Sequence, residues 1–290
     1  MQTLRQVIGD FKQSGRAIGH FNISDSNQLH AIALASKETG LPVIVGLSEG
    51  EREYFPIAHA KALIDVYRTH GAAVYLNADH TYSLEKAIKA IDDGVDSIVV
   101  DGANLPMAAN IALVKAVVSY AKSKKSFFGG RDIVVEGELG YIGTSSKQLD
   151  SIPEGVTLEQ LTSIVDAKQF VSESGVACFA PAVGNIHGML KNAAEPRLHP
   201  ERVKEIADMV GIPLVLHGAS GNTAEDIKEC ISAGVAVVHI NTEFRVAYRD
   251  ALRDQMAQNA DETAPYKLLI PVVTKLKDFI AAKQKLFAKA

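Results

Sequence analysis

Eight short β-rich runs, each followed by a stretch of helical period, set the plan of this 290-residue chain. They are AIGHFNI (17–23), PVIVGLS (42–48), AAVYLNAD (72–79), DSIVVD (96–101), DIVVEGEL (132–139), ACFAPAV (177–183), PLVLHG (213–218) and AVVHIN (236–241). Apolar runs this continuous suit parallel strands buried on both faces, not strands with one wet face. The segments between them carry helix punctuation. In SLEKAIKAIDDG, Ser83 reads as the N-cap and Gly94 as the stop, with Leu84, Ala87, Ile88 and Ile91 on one face. TAEDIKECISAG repeats the scheme, with Thr223 as cap, Ile227, Cys230 and Ile231 as the buried face and Gly234 as terminator. Eight such units predict an α/β fold, a closed (β/α)8 TIM barrel. An open doubly wound sheet is the competing arrangement. It loses ground because NISDSNQ, after the first run, has no glycine for a dinucleotide-binding turn. Residues 1–290 read as a single barrel domain, with a C-terminal amphipathic helical extension from about residue 261.

Composition narrows the function classes. Apolar residues make up 47% of the chain, which fills a large core and excludes a disordered one. A net charge of −4 offers no basic field for phosphates, so no nucleic-acid partner is expected. No apolar run approaches the roughly 20 residues that span a bilayer, so no membrane partner is expected either. Segment 1–20 lacks the basic flank and apolar block of a secretion signal, and the expected location is cytoplasmic. Cys178 and Cys230 read as small buried hydrophobes, not a redox pair.

In a barrel, function gathers at the carboxyl ends of the strands. Here nearly every run ends in polar residues: Asn22, Ser48, Asp79 with His80, Asp101, Glu136 with Glu138, Asn185 with His187, His217 with Ser220, and His239 with Asn241 and Thr242. Closure brings these ends to one rim. His80, His187 and His217 lie too far apart in sequence for a local metal motif, so only the fold could assemble them. Three neutral imidazoles leave a fourth zinc position open, as in catalytic rather than structural sites. Asp79, Asp101 and Glu138 share the rim and could complete the coordination or move protons. HGASG (217–221) precedes the helix near Thr223, and INTE (240–243) precedes the last barrel helix. Backbone N–H groups at such helix starts bind anions, and barrels commonly hold phosphate after strands seven and eight. HGMLK (187–191) adds Gly188 and the cation Lys191.

Taken in order, these motifs resemble the class II, metal-dependent fructose-bisphosphate aldolases, including their tagatose-bisphosphate branch. The resemblance rests on FN (21–22), VIVGLSEG (43–50), NADH (77–80), VVDGA (99–103), VEGELG (135–140), GNIHGMLK (184–191), LHGASG (216–221) and INTEFR (240–245). It implies Asp79 as the proton-transfer aspartate and His80, His187 and His217 as zinc ligands. Asp101 and Glu138 match carboxylates linked to a second or alternative metal position. Gly188, Lys191, Gly218, Ala219, Ser220, Asn241 and Thr242 match the region that binds the dihydroxyacetone phosphate half. Asn22 and Ser48 match positions lining the substrate pocket. The cofactor implied is Zn2+ or another divalent metal, with a monovalent cation as a further option. The partners implied are a small phosphorylated sugar and further copies of the chain, as a homodimer or homotetramer.

Three departures stand out. His239, counted with the substrate-binding positions, occupies a place where the family often has asparagine. The loop after ELG reads GYIGTSSKQLDSIPEG, so its acids Asp150 and Glu154, the candidate second proton donors, come late. KLLIPVV in the tail holds no arginine for a distal phosphate. Fructose 1,6-bisphosphate is the leading substrate, with tagatose-bisphosphate or another ketose phosphate as the alternative. A zinc-dependent barrel hydrolase and a non-catalytic sugar-phosphate binder rank lower. No lysine lies inside a strand to form a Schiff base, so a Lewis acid is the expected sink for the charge of aldol cleavage.

Overall fold

A computed structural model describes residues 2–127, 132–144, 146–156 and 160–289. Ser145, in the loop that carries the candidate lid acids, and Ala290, at the end of the predicted tail, lie outside them. All eight predicted runs are strands, and together they form a closed barrel: β1 (Ile18–Asn22), β2 (Val43–Leu47), β3 (Val74–Thr81), β4 (Ser97–Val100), β5 (Val134–Leu139), β7 (Cys178–Pro181), β9 (Leu214–Leu216) and β10 (Val235–Ile240). The remaining strands, β6 (Gln148–Leu149) and β8 (Met189–Leu190), pair with each other outside the barrel. Every barrel pairing is parallel, and β1 closes the ring against both β2 and β10.

Strand alternation sorts the side chains. Val43, Val45 and Leu47 of β2 join the large core between the barrel and its helices, whereas Ile44 joins a smaller core inside the barrel. That inner core contains Ile18, Tyr75, Val134, Cys178, Val215 and Val237. It is closed from below by α1 (Leu4–Gln13), which contributes Leu4, Val7, Ile8 and Phe11. Two residues further along the strands, the same inward positions become polar: His20, Asn77, Glu136, His217 and His239, all buried. The barrel is therefore oil at its amino end and ionisable at its carboxyl end.

The outer layer is α2 (Ser26–Thr39), α3 (Glu49–Tyr54), α4 (Ile57–Thr69), α5 (Leu84–Asp93), α6 (Met107–Phe127), α7 (Ile164–Ser174), α8 (Pro200–Val210), α9 (Ala224–Ala233) and α10 (Thr242–Gln258). Ser83 and Thr223 cap α5 and α9 through their side chains, and Gly94 and Gly234 end them, as the sequence predicts. Two residues of the expected α5 face differ: Leu84 is 38% exposed and Ile88 is half-buried, so Ala87 and Ile91 carry the contact with Ala90. The tail forms α11 (Pro265–Phe287), which packs on α2 and α10 of its own chain. Gln284 Nε2 donates to Leu41 O at 3.1 Å, and Phe287 O accepts from the Ala17 amide at 3.0 Å. Among the described residues no helix is long and apolar enough to cross a membrane.

Gly46 shows how tightly the polar layer is packed. A Cβ there would lie 2.2 Å from the His20 ring. Gly46→Ala should therefore cost about 1–3 kcal/mol of stability, the usual penalty for overpacking. Urea unfolding reads it directly, and an unchanged midpoint would show that the His20 ring can step aside freely.

Candidate active site

The centre is built on β3. Its ladder with β4 shifts register between Ala78 and Thr81. Within that shift His80 adopts φ 36°, the one positive value on a non-glycine residue among those described. Such a backbone is costly and persists only where the surroundings enforce it. The His80 ring lies 4.8 Å from that of His187, which follows β7, and 5.1 Å from that of His217, which follows β9. One ligand atom from each of the three lies within 4.8 Å of the others.

Each imidazole is oriented by a partner on one nitrogen, which leaves the other open, an arrangement common behind metal ligands. His80 Nδ1 contacts Asp101 Oδ2 at 2.9 Å. His187 Nδ1 donates to Gly143 O at 2.6 Å, which makes Nε2 its lone-pair nitrogen. His217 Nε2 meets Glu136 Oε1 at 2.6 Å, and its Nδ1 is buried without a hydrogen-bond partner. Glu138 Oε2 and Asp79 Oδ1 are also buried and unpartnered. Orphaned buried acceptors of this kind suit a divalent cation. His80, Asp101 and Glu138 form a second group of the same compactness.

The titration of these groups follows from burial and neighbours. Burial alone would lower the His80 imidazole, but Asp79, Asp101 and Glu138 outweigh it and lift His80 to about 10. Burial and the adjacent His80 push His187 and His217 down to about 3. Burial would raise the Asp79 carboxyl, yet His80, His20, His217 and an Asn22 hydrogen bond hold it below its usual range. Burial and Asp79 push Glu136 up to about 8, and burial with Asp101 pushes Glu138 well up.

His239 lies flat between two other imidazoles. His20 stacks on it at 3.6 Å with planes 8° apart, and His217 at 4.1 Å with planes 22° apart. An imidazole binds a cation in its own plane, so the parallel His20–His239 pair cannot converge on one ion as it stands. His239 Nδ1 lies 3.6 Å from Asp79 Oδ1.

Beside this centre two loops approach closely. Gly218 has φ 60°, and a Cβ there would reach 2.1 Å from Ile186 O. Glycine alone lets these two loops touch. Asn241 sits at the N-cap of α10 without a side-chain cap; its Nδ2 donates to Ser146 Oγ at 3.2 Å. At α9, by contrast, Thr223 already accepts from the Asp226 amide. Of the two helix starts read as anion sites, α10 is the less capped.

Of the predicted site residues, Asn22, Asp79, His80, His187, Gly188, His217, Gly218, Ser220, His239, Asn241 and Thr242 line one cavity. Ser48 lines an adjoining recess with His80, His187 and Asn241. Asp101 and Glu138 stand behind His80, and Ala219 is buried in the core, leaving only its backbone to the cradle. Lys191 is not brought in. It follows β8, whose ladder with β6 carries it outward, where Nζ pairs with Asp150 Oδ1 at 3.0 Å. Asp150 is 82% exposed and Glu154 is exposed, and neither lines the cavity. Sequence reading missed His20 and Glu51. The period-two spacing from Asn22 back to His20 was the available signal for the first.

Comparison with known proteins agrees over the whole length. The family profile described as fructose-bisphosphate aldolase class II matches residues 2–290. A fructose-bisphosphate aldolase of Staphylococcus aureus (strain N315) is 33% identical over 291 residues, covering 98% of this chain and 96% of its own. One from Geobacillus stearothermophilus is 32% identical over 294 residues, covering 99% and 97%. Among solved structures, the YdjI aldolase of Escherichia coli K12 superimposes with TM-score 0.80 at 30% identity, covering 98% of this chain and 96% of that one. The fructose-bisphosphate aldolase of Campylobacter jejuni, at TM-score 0.77 and 18% identity, shares the fold over 98% and 93%.

Two measurements probe the centre. His217→Ala should reduce bound zinc to a small fraction of one ion per chain, read by elemental analysis; full occupancy would remove His217 from the ligand set. Asp79, Asp101 and Glu138 raise the proton affinity of His80, so a cation must displace a proton there. Zinc affinity should therefore rise with pH between about 6 and 9, with roughly one proton released per ion. Calorimetry in buffers of different ionisation heat would show it, and a pH-independent affinity would exclude His80 as a ligand.

Proposed function

The chain belongs to the class II fructose-bisphosphate aldolase family, and we propose that it catalyses zinc-dependent, reversible cleavage of fructose 1,6-bisphosphate to dihydroxyacetone phosphate and glyceraldehyde 3-phosphate. Family membership makes it a carbon–carbon lyase. The observation that carries the finer reading is the convergence of His80, His187 and His217 in the cavity that also holds Asp79.

Breaking the C3–C4 bond leaves negative charge beside a ketone. His80, His187 and His217 would hold a divalent cation, which when bound would supply Lewis-acid stabilisation of that charge, worth several kcal/mol. No lysine lines the cavity among the described residues, so a Schiff base has no provider. Asp79 takes the C4 hydroxyl proton in cleavage and returns it in condensation. Its Oδ2 is held by Asn22 at 2.8 Å, and its Oδ1 has no hydrogen-bond partner. Asp101 fixes the His80 ring, and Glu138 offers a carboxylate for a second cation position. Gly188, Gly218, Ser220 and the first turn of α10 cradle the phosphate of the three-carbon half, where helix N–H groups favour an anion. Asn22 and Ser48 border the space left for the aldehyde half.

Initial rates of triose-phosphate release from fructose- and tagatose-bisphosphate, with and without chelator, test the reading. Faster cleavage of the fructose ester, abolished by chelator and restored by zinc, is expected. Preference for tagatose-bisphosphate would reassign the substrate, and phosphate release without triose would mark a hydrolase. Asp79→Asn should retain zinc while kcat falls by about 10²–10⁴, the usual worth of a general base. Undiminished turnover would take Asp79 out of the proton transfer.

A further inference from the structure

Glu51 is a carboxylate 7% exposed, in the first turn of α3, immediately behind the cavity wall. Its Oε2 accepts from the Ser48 amide at 2.7 Å and from Asn22 Nδ2 at 2.9 Å. Its Oε1 pairs with the guanidinium of Arg245, on the first turns of α10. The same Asn22 Nδ2 donates to Asp79 Oδ2 at 2.8 Å. One NH2 group thus bridges two buried carboxylates.

That bridge dictates two orientations. Ionised carboxylates only accept, so the amino side of Asn22 must face both and the amide cannot flip. With Oδ2 engaged, Asp79 presents Oδ1 as its unpartnered oxygen. Remove Glu51, and the amide loses one of its two anchors while Asp79 loses the partner that keeps Asn22 in place. Arg245 makes the buried charge tolerable; its Nη1 also donates to Ser146 O at 3.3 Å, beside the phosphate cradle. Buried charges persist where they are paired and hydrogen-bonded in this way.

We propose that Glu51 is a positioning residue for aldol proton transfer, holding Asp79 through Asn22 in the orientation the proton transfer needs. The proposal rests on the aldolase reading above. A role confined to starting α3 would be merely structural, and the two predict different outcomes. Glu51→Gln keeps an oxygen for the Asn22 and Ser48 donors, whereas Glu51→Ala removes it. Positioning predicts that Glu51→Ala lowers kcat about 10–100-fold, the scale of small misplacements of reacting groups, with KM within about threefold and zinc content unchanged. Glu51→Gln should recover kcat to within about fivefold of the parent. Crystal structures of the two variants give a readout independent of turnover: Asn22 and Asp79 should turn away from their present contacts in Glu51→Ala and keep them in Glu51→Gln. Parent-like kcat in Glu51→Ala, equal damage in both variants, or an unmoved Asp79 in Glu51→Ala would each overturn the proposal. A parent protein inactive on both bisphosphates would instead sink the aldolase reading, while the paired structures would still decide whether Glu51 positions Asp79.

Discussion

Closure of the parallel barrel forces each strand to send every second side chain toward one axis, and that crowding governs everything at the mouth. The lower inward layer is apolar and sealed by α1, so water has no entry from below. The next two layers must place His20, Asn77, Asp79, Glu136, Glu138, His217 and His239 within reach of one another, because eight strands leave them nowhere else to go. Groups that would each be solvated on a surface become one coupled electrostatic system. Several acceptors in it have no protein partner. A protein that buries such groups together needs a counter-charge, and the converging histidines give one a place to sit.

Within this system the carboxylates have different surroundings. Asp79 is bordered by imidazoles and by the Asn22 amide, which favour its ionised form. At Glu136 and Glu138 burial, helped by neighbouring acids, disfavours the ionised form. Groups of one chemistry are thereby spread over different proton affinities, the usual basis for dividing base from ligand. His239 adds a flat neutral ring between His20 and His217, filling the space where a smaller amide would leave a gap beside His217.

Most of the architecture was legible because parallel strands announce themselves as short unbroken apolar runs, and the polar residue closing each run marks the rim. The histidine convergence could be inferred only by assuming closure, since nothing local joins His80 to His217. The register shift that bends His80 into place leaves no mark in the letters NADH. Helix α1 was invisible because LRQVIGDFKQ is amphipathic without being rich in apolar residues, and its partners lie scattered over seven strands. Lys191 looked useful as a cation near the cradle, but a two-residue ladder carries it outward. Glu51 went unnoticed because a glutamate three positions into a short helix normally serves its own first turn, and only the structure shows it reaching Asn22.

The docking of α11 on β1 has a bearing on how the chain folds. The amide of Ala17 finds its acceptor in Phe287, whose ring also lies 3.4 Å from where a Gly19 side chain would begin. That contact joins positions 17 and 287, so the entropy of closing a long stretch of chain must be met before the strand that supplies His20 and Asn22 is fully seated.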